Sequence, residues 1–537
     1  MRENRSGYIK NLLLPCAFFS SLAGIFTATL VFIFKVVSIG VIHLSEKIYS
    51  FVRQEPIWLP ALIGGAALVG VLVWLLLKND NDCRGGGIPT AVATIRGFTP
   101  LNWVKSAFLM PISAIMTFFV GVPLGNEGPC VQMGTAIGQG TVRIFGGKRN
   151  QAWRRYVMTG GACTGFASAT GAPVTGILFA VEEAHRRFSP MLFIVASISV
   201  LVGQVTTELL GTLTGFDTAL FSFRVHGSYS LGFLWVPVAV GIICGIVAIF
   251  FTKAYKIFGK LIKNGLERVP FIVKILVIFV LVAVIGFFSA DVIGSGHALT
   301  DVLIERGGVW YFLIICFVVR AVMMMIANNS GVTGGLFVPT LTFGAIIGSL
   351  VGMILLRVGL IDAAQYEITV VIGMVAFLAA ASRTPITAVV FAAEVLCGFA
   401  YILPVAIGVA VAYVIIEMEG IAAFNDTVIE SKIEAAHKGK EAIIYDVYLT
   451  VQPKSFAVEK EIRDIIWPPT CVVLGVEKNV NAGSEVGISE GDVLHVHYQS
   501  FTPHKTFEEL EYLVGTQSED VRLRVHTHGK NHQVPEI

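Results

Sequence analysis

The chain has 537 residues, 55% of them hydrophobic and only 14% charged, with a mean hydropathy of +0.74. A water-soluble globular chain carries about 25% charged residues, so this composition excludes one and places the chain in a bilayer. The 39 basic residues nearly balance the 37 acidic ones, for a formal charge of +2, and without a basic surplus a nucleic-acid partner is excluded.

A bilayer core about 30 Å thick takes about 20 apolar residues per helical span. Taken in order, apolar segments run over 12–40, 57–77, 104–124, 156–182, 191–211, 231–252, 271–290, 310–327, 335–356, 367–397 and 402–418. This amounts to roughly ten spans, which excludes a peripheral protein. Residues Arg2 to Lys10 are basic, and the stretch after them lacks an A-x-A-type cleavage site, so the first segment reads as a retained span. Basic residues there, with Lys432, Lys438 and Lys440 after the last span, predict two cytoplasmic termini, although the run Lys148 to Arg155 complicates the count. The expected location is a bacterial inner (plasma) membrane. Eight cysteines are scattered singly and read as small hydrophobes.

Beyond Asn425 the composition turns polar. Residues 441–516 alternate strand-like runs (Ile443 to Val451, Cys471 to Val476, Val493 to Tyr498) with helix-like ones (Phe456 to Ile466, Thr506 to Val514), which predicts a small soluble α+β module. Residues 517–537 are expected to be a loosely ordered tail.

Glycine and proline break several apolar segments, and irregular backbone at membrane depth persists only where protein buries it or where it lines a polar cavity. Three breaks matter: Gly85-Gly-Gly-Ile-Pro89, Gly125-Asn-Glu-Gly-Pro129 and Gly334-Gly-Leu-Phe-Val-Pro339. Proline suits a helix's first turn, and glycines before it let the backbone approach a ligand, so each break predicts a helix N-terminus at membrane depth. Free N–H groups and a partial positive charge make such ends attractive to an anion. The breaks also recur. Gly125-x-Glu127-x-Pro129 is echoed by Gly335-x-Phe337-x-Pro339 at an offset of 210 residues, and Pro173 to Glu182 by Pro385 to Glu394 at an offset of 212. Interrupted apolar segments at corresponding places in two halves point to a transporter's binding site.

Glu127 is an ionisable residue inside such a break, and intramembrane carboxylates are functional by default. Flanked by anion-binding N–H groups, it can occupy the anion's place when charged and leave when protonated; the alternative is a carboxylate that only caps its own helix. Glu182 and Glu183 end an apolar run directly before Ala184-His-Arg-Arg187, where a carboxylate could pass protons inward toward Glu127, or simply belong to a solvated charge cluster. Glu394 reads as a structural acid of the second repeat.

The order GGGIP, GNEGP, GLFVP, with GAPVTGILFAVEEA and the apolar run to Asn425, closely resembles the CLC family of chloride channels and proton-coupled anion exchangers. The resemblance covers roughly residues 8–430 and implies an all-α polytopic bundle of tilted, broken helices in an inverted repeat, residues 1–430, followed by the small cytoplasmic domain, residues 441–516. It implies that Glu127 is the external gating glutamate and Glu183 the internal proton-transfer glutamate. The anion would be held by Gly86, Gly87, Ile88 and Pro89, by Asn126, Glu127 and Gly128 at an outer site, by the N–H groups of Leu336 and Phe337 centrally, and by Asn425. It further implies a homodimer with one pathway per subunit, chloride or a similar small anion and protons as the transported species, and no cofactor. The chain departs from typical chloride members at Gly86, where they have serine, at Asn126, where they have arginine, and at Asn425, aligned with their anion-coordinating tyrosine. Loss of both hydroxyl donors leaves the anion open between chloride, fluoride and nitrate, and either exchange or a channel is compatible with the site, with Glu183 favouring exchange.

The segment Phe456 to Gln499, with Gly483-x-x-Val-Gly487 and Ser489-Glu-Gly-Asp492, resembles the C-terminal (TrkA-C) subdomain of potassium-transport regulators, which implies a dimerising module or one that senses a small cytoplasmic ligand. The pairs His495-x-His497 and His526-x-His528 would each share a strand face, open to a transition metal or simply to solvent. No H-E-x-x-H, G-x-S-x-G or Walker glycine loop is present, so the sequence offers no enzyme constellation.

Overall fold

The computed structural model describes residues 14–518 except 218, 222, 224, 226–228, 266–267, 440 and 480–486. The membrane part begins with α1 (Leu14–Gln54), α2 (Leu59–Leu77), α3 (Gly87–Ile95), α4 (Trp103–Val120), α5 (Glu127–Phe145), α6 (Arg154–Thr170), α7 (Pro173–Phe179, continued by a π turn to Ala184) and α8 (Pro190–Thr214). A second set of eight follows: α9 (Trp235–Gly265), α10 (Phe271–Phe288), α11 (His297–Arg306), α12 (Trp310–Asn329), α13 (Phe337–Arg357), α14 (Ala363–Ser382), α15 (Pro385–Phe391, with a π turn to Leu396) and α16 (Ile402–Met418). Helix α17 (Phe424–Ala436) then leads to the tail. Among the described residues, ten helical segments are long and apolar enough to cross a bilayer.

The repeat seen in two short motifs extends through the packing. Helices α5 and α6 touch backbone to backbone: a Cβ at Gly134 would lie 2.0 Å from the carbonyl oxygen of Gly161, and one at Gly138 would lie 2.4 Å from that of Val157. Helices α13 and α14 repeat the contact, with a Cβ at Gly344 falling 2.3 Å from the oxygen of Gly373 and one at Gly348 falling 2.8 Å from that of Thr369. Lipid supplies no hydrophobic drive between helices, so close van der Waals approach of small residues holds them together. These pairs form the buried centre: 78% of the α14 span is buried, against 17% of the outer span Pro56–Leu77.

Two runs expected as single segments are broken. Residues 156–182 divide where Gly171, at φ +71°, caps α6 and Pro173 opens α7; 367–397 divide at Arg383 and Pro385. A left-handed residue followed by proline cannot continue a helix. Helix α5 is absent from the apolar segments because its glycines, threonines and glutamines dilute its hydropathy, although most of its residues are buried.

In the tail, β1 (Ile443–Thr450), β2 (Val472–Glu477) and β3 (Val493–Ser500) form an antiparallel sheet in the order β1-β3-β2, and α18 (Pro503–Val514) packs on it. The predicted helix over Phe456–Ile466 is instead a series of turns with one short 3₁₀ turn, Ile462–Asp464. Its backbone bonds outward, Ala457 N–H to Leu513 C=O and Glu459 N–H to Ile488 C=O, and Glu459 is held at φ +64°, so neighbouring elements take the groups a helix would have used. Gln517 is buried and pairs with both backbone groups of Thr450. Residues 519–537, with the His526 and His528 pair, and Gly483 of the glycine motif lie outside the described residues.

Candidate functional site

The three glycine breaks meet. Helices α3, α5 and α13 start at Gly87, Glu127 and Phe337, and a Cβ at Gly87 would stand 1.9 Å from the carbonyl oxygen of Gly128, one at Gly128 2.7 Å from the Cα of Gly335. Gly125 and Gly335, equivalent positions of the two repeats, exchange backbone hydrogen bonds of 2.8 and 2.6 Å. Only residues without a side chain allow this approach. The outcome is three helix starts with their N–H groups and positive dipole ends gathered at one place.

Glu127 is fully buried at the first position of α5. Its carboxylate folds back over Gly125, where a Cβ would lie 2.5 Å from Oε2, and faces the N–H groups of its own residue and of Val338. Among the described residues, neither oxygen closes a hydrogen bond. A carboxylate thus stands between the starts of α5 and α13, held by dipoles rather than by fixed bonds.

Beside it lies a cavity of about 20 Å³, lined by Gly86 to Pro89 at the start of α3, Gly335 to Phe337 at the start of α13, Leu378, Ser382 and Thr384 at the end of α14, Phe424 and Asn425 at the start of α17, and Glu183. One water-sized sphere needs about 10–15 Å³, so this is room for roughly one small ion. The ring of Phe337 is wedged between Phe166 and Phe391, at centroid distances of 5.0 and 5.2 Å, which fixes the start of α13. Of the residues expected to hold an anion, Gly86, Gly87, Ile88, Pro89, Leu336, Phe337 and Asn425 share this wall, whereas Asn126, Glu127 and Gly128 sit beside it across the Gly87–Gly128 contact.

The two neighbouring acids separate. Asn425 Nδ2 donates to Glu183 Oε1 at 2.7 Å at the cavity wall. Arg96 donates to the carbonyls of Glu183 and Ala184 at 2.9 and 2.8 Å, and Arg186 pairs with Asp426 at 2.8 Å, so the end of α7 and the start of α17 are pinned together around the acid. Glu182 points elsewhere, accepting the Ile386 and Thr387 N–H groups at 2.9 and 2.6 Å at the start of α15. Its repeat mate Glu394 returns the contact by accepting the N–H groups of Val174 and Thr175, each at 2.8 Å, at the start of α7. Two helix starts therefore exchange carboxylate caps.

The model of the family described as "Voltage gated chloride channel" matches residues 65–417, well over half of the chain. The chain belongs to that family. It is a multi-pass integral membrane protein of CLC-type anion transport, a transporter or channel and not an enzyme. Its fold is similar to that of a slow cyanobacterial Cl−/H+ antiporter, at 23% identity and a TM-score of 0.69 over 78% of this chain and 98% of that one. A eukaryotic CLC transporter matches at 21% and 0.65 over 78% of this chain and 74% of the other. A CLC-type fluoride/proton antiporter matches at 18% and 0.61 over 77% and 97%.

Within this CLC fold, sequence reasoning overlooked several residues. The cavity is not stripped of hydroxyls, as the losses at 86 and 425 suggested, because Ser382 and Thr384 line it with their oxygens 2.7 Å apart. Ser-x-Thr before the proline of a broken helix was the available signal. Lys35, inside the first apolar run, is 3% exposed and equally went unremarked. In the tail, His495 and His497 both approach Asp446, at 3.5 and 3.0 Å, and the described residues contain no cluster of three or more metal-ligating side chains.

Proposed function

We propose that this protein exchanges a small inorganic anion for protons, with Glu127 as the outer gate and Glu183 as the inner proton-transfer acid. The observation that carries the reading is the placement of two carboxylates at one group of helix starts: Glu183, held by Asn425, in the wall of the ion-sized cavity, and Glu127 beside that cavity across the Gly87–Gly128 contact. Protonated, Glu127 vacates the N–H groups it faces and an anion takes them; charged, it returns and excludes the anion. Glu183 reaches the same cavity from the end of α7, beside Arg96, Arg186 and Arg187. Passive anion conduction through the same site is the second reading, and the transported anion is chloride, fluoride or nitrate. A homodimer with one pathway in each subunit is part of this proposal.

The tail, read as a TrkA-C-like regulatory module, is the remaining part. A cavity of about 670 Å³, lined among others by Asp82, Phe98, Lys432, His437, Phe501 and Lys505, lies between it, α17 and the α3–α4 connection, and supports a site for a small cytoplasmic ligand. Reconstitution into liposomes tests the transport reading: gradients of chloride, fluoride and nitrate should each be tried for their power to drive protons uphill. Anion flux that never moves protons leaves the channel reading.

A further inference from the structure

Lys35 is a lysine in the middle of a membrane helix, and a buried ammonium there needs a partner and a reason. Two independent measures place it level with Glu127. The first runs along α6, which pairs antiparallel with α5 so that Gly161 touches Gly134 and Gly165 touches Cys130. Four residues further, the same register sets Ala169 beside Asn126, and Lys35 Nζ donates to the Ala169 carbonyl at 3.1 Å. The second runs along α1, where Thr27 packs against Gly134 of α5. Lys35 lies eight residues beyond Thr27, about 12 Å of helix, and Glu127 lies seven residues beyond Gly134, about 10.5 Å. That shared level puts the two charges within electrostatic reach of one another.

A purely structural lysine would serve the carbonyls at the end of α6. Lys35 does serve one of them, Ala169 C=O, while Ala167 C=O is taken by the N–H groups of Gly171 and Ala172, so one carbonyl bond is all that the end of α6 asks of the ammonium. Glu127 faces the N–H groups of its own residue and of Val338 but, among the described residues, closes no hydrogen bond with its carboxylate oxygens. Among the described residues, Cys130 on α5 and Asp217 after α8 are further titratable neighbours of Lys35, as is His297, the first residue of α11, with Nδ1 2.7 Å from Ser295 Oγ.

We propose that Lys35 is a positioning residue of the outer gate, the fixed countercharge that neutralises the Glu127 carboxylate when the gate is closed and the incoming anion when Glu127 is protonated. The inference rests on the reading of Glu127 as the gate. Its consequence is that Lys35 sets the external pH at which the gate opens. A cation beside a carboxylate favours the charged form, so removing it lets the carboxyl take its proton at lower proton concentration.

The test is transport by full-length protein in liposomes, with chloride and fluoride in turn as the anion, across external pH. Lys35→Met should move the half-maximal pH upward by about one unit and weaken the apparent affinity for external anion about tenfold. Lys35→Gln, which keeps a donor for Ala169 but not the charge, should do the same, and it separates charge from folding if the methionine variant is not stable. Lys35→Arg should follow the wild type. In a Glu127→Gln background, Lys35→Gln should no longer move the pH profile. A wild-type profile in Lys35→Gln overturns the inference, as does a shift that persists without the Glu127 carboxylate. Wild-type proton coupling in Glu127→Gln alone would instead remove the gate reading beneath it.

Discussion

The amide of Asn425 donates to the carboxylate of Glu183 across 2.7 Å, joining the first turn of the last membrane-associated helix to the end of α7. Glu182, one residue earlier, faces another helix altogether. Their substitutions should therefore diverge. Glu183→Gln should abolish proton movement and retain anion flux, because the amide still fills the wall but carries no exchangeable proton. Glu182→Gln should leave coupling intact and lower stability by about 1 kcal/mol, through loss of a charged cap at the start of α15. Proton flux in liposomes and thermal unfolding in detergent separate the two; the reverse pattern would put the inner acid at 182.

In the proposed exchange, Glu127 is the other half of the coupling. Replacement by glutamine removes the titrating group but keeps its volume between the starts of α5 and α13. Proton-coupled transport should fall by about 100-fold or more, while anion flux persists as a leak with no dependence on pH. Uphill proton transport at the wild-type rate in this variant would disprove the assignment.

How much of this was legible in the sequence follows from the range of the forces involved. The three breaks announce themselves locally, since proline and glycine act on their own backbone, and the offset of 210 to 212 residues carried the repeat. The reciprocal caps of Glu182 and Glu394 were not legible, because each acid serves a helix some two hundred residues away and its own neighbours say nothing of that partner. Lys35 hid for a related reason: one charge in a long apolar run barely changes hydropathy, and its meaning appears only once α6 brings Ala169 alongside. The missed turn structure of Phe456 to Ile466 is a third case, in which bonds to Leu513 and Ile488 outweigh local propensity.

Adjacent glycines of the first break should respond oppositely to substitution. A Cβ at Gly86 would come 3.2 Å from Asn328 Oδ1, a side-chain atom able to shift slightly, and Gly86 itself lines the cavity. Gly86→Ser should fold normally and change the anion selectivity sequence in favour of chloride, measured as relative flux of chloride, nitrate and fluoride. A Cβ at Gly87 would come 1.9 Å from the carbonyl oxygen of Gly128 and must push α3 off α5, so Gly87→Ala should lose transport for all anions and cost several kcal/mol of stability. An unchanged selectivity sequence in Gly86→Ser would show that this loop does not border the ion.

The tail is tied to the membrane domain by more than its linker, and this changes what its removal should do. Glu509 of α18 accepts from Arg154 at 2.9 Å and from Arg155 at 2.5 Å; Arg155 also donates to the Trp467 carbonyl, and Arg187, four residues after Glu183, donates to that of Ile465. Phe456 packs edge-on to Trp153 at 5.3 Å. Deleting residues from 441 onward would bare this aromatic surface and strand Arg155, so the truncated protein should melt several degrees lower even though it keeps all three helix starts and both coupling acids. A gentler probe is Glu509→Gln, which keeps the packing and removes the charge that two guanidinium groups share. Breaking a buried pair by removing one partner costs about 3–5 kcal/mol, so the tail should undock part of the time, seen as faster proteolytic cleavage between α17 and β1. The Arg187 contact gives that undocking a direct route to the end of α7, and the transport rate should change with it. A variant whose tail is cleaved faster yet whose transport matches the wild type under every cytoplasmic condition would make the module an assembly element without a regulatory role.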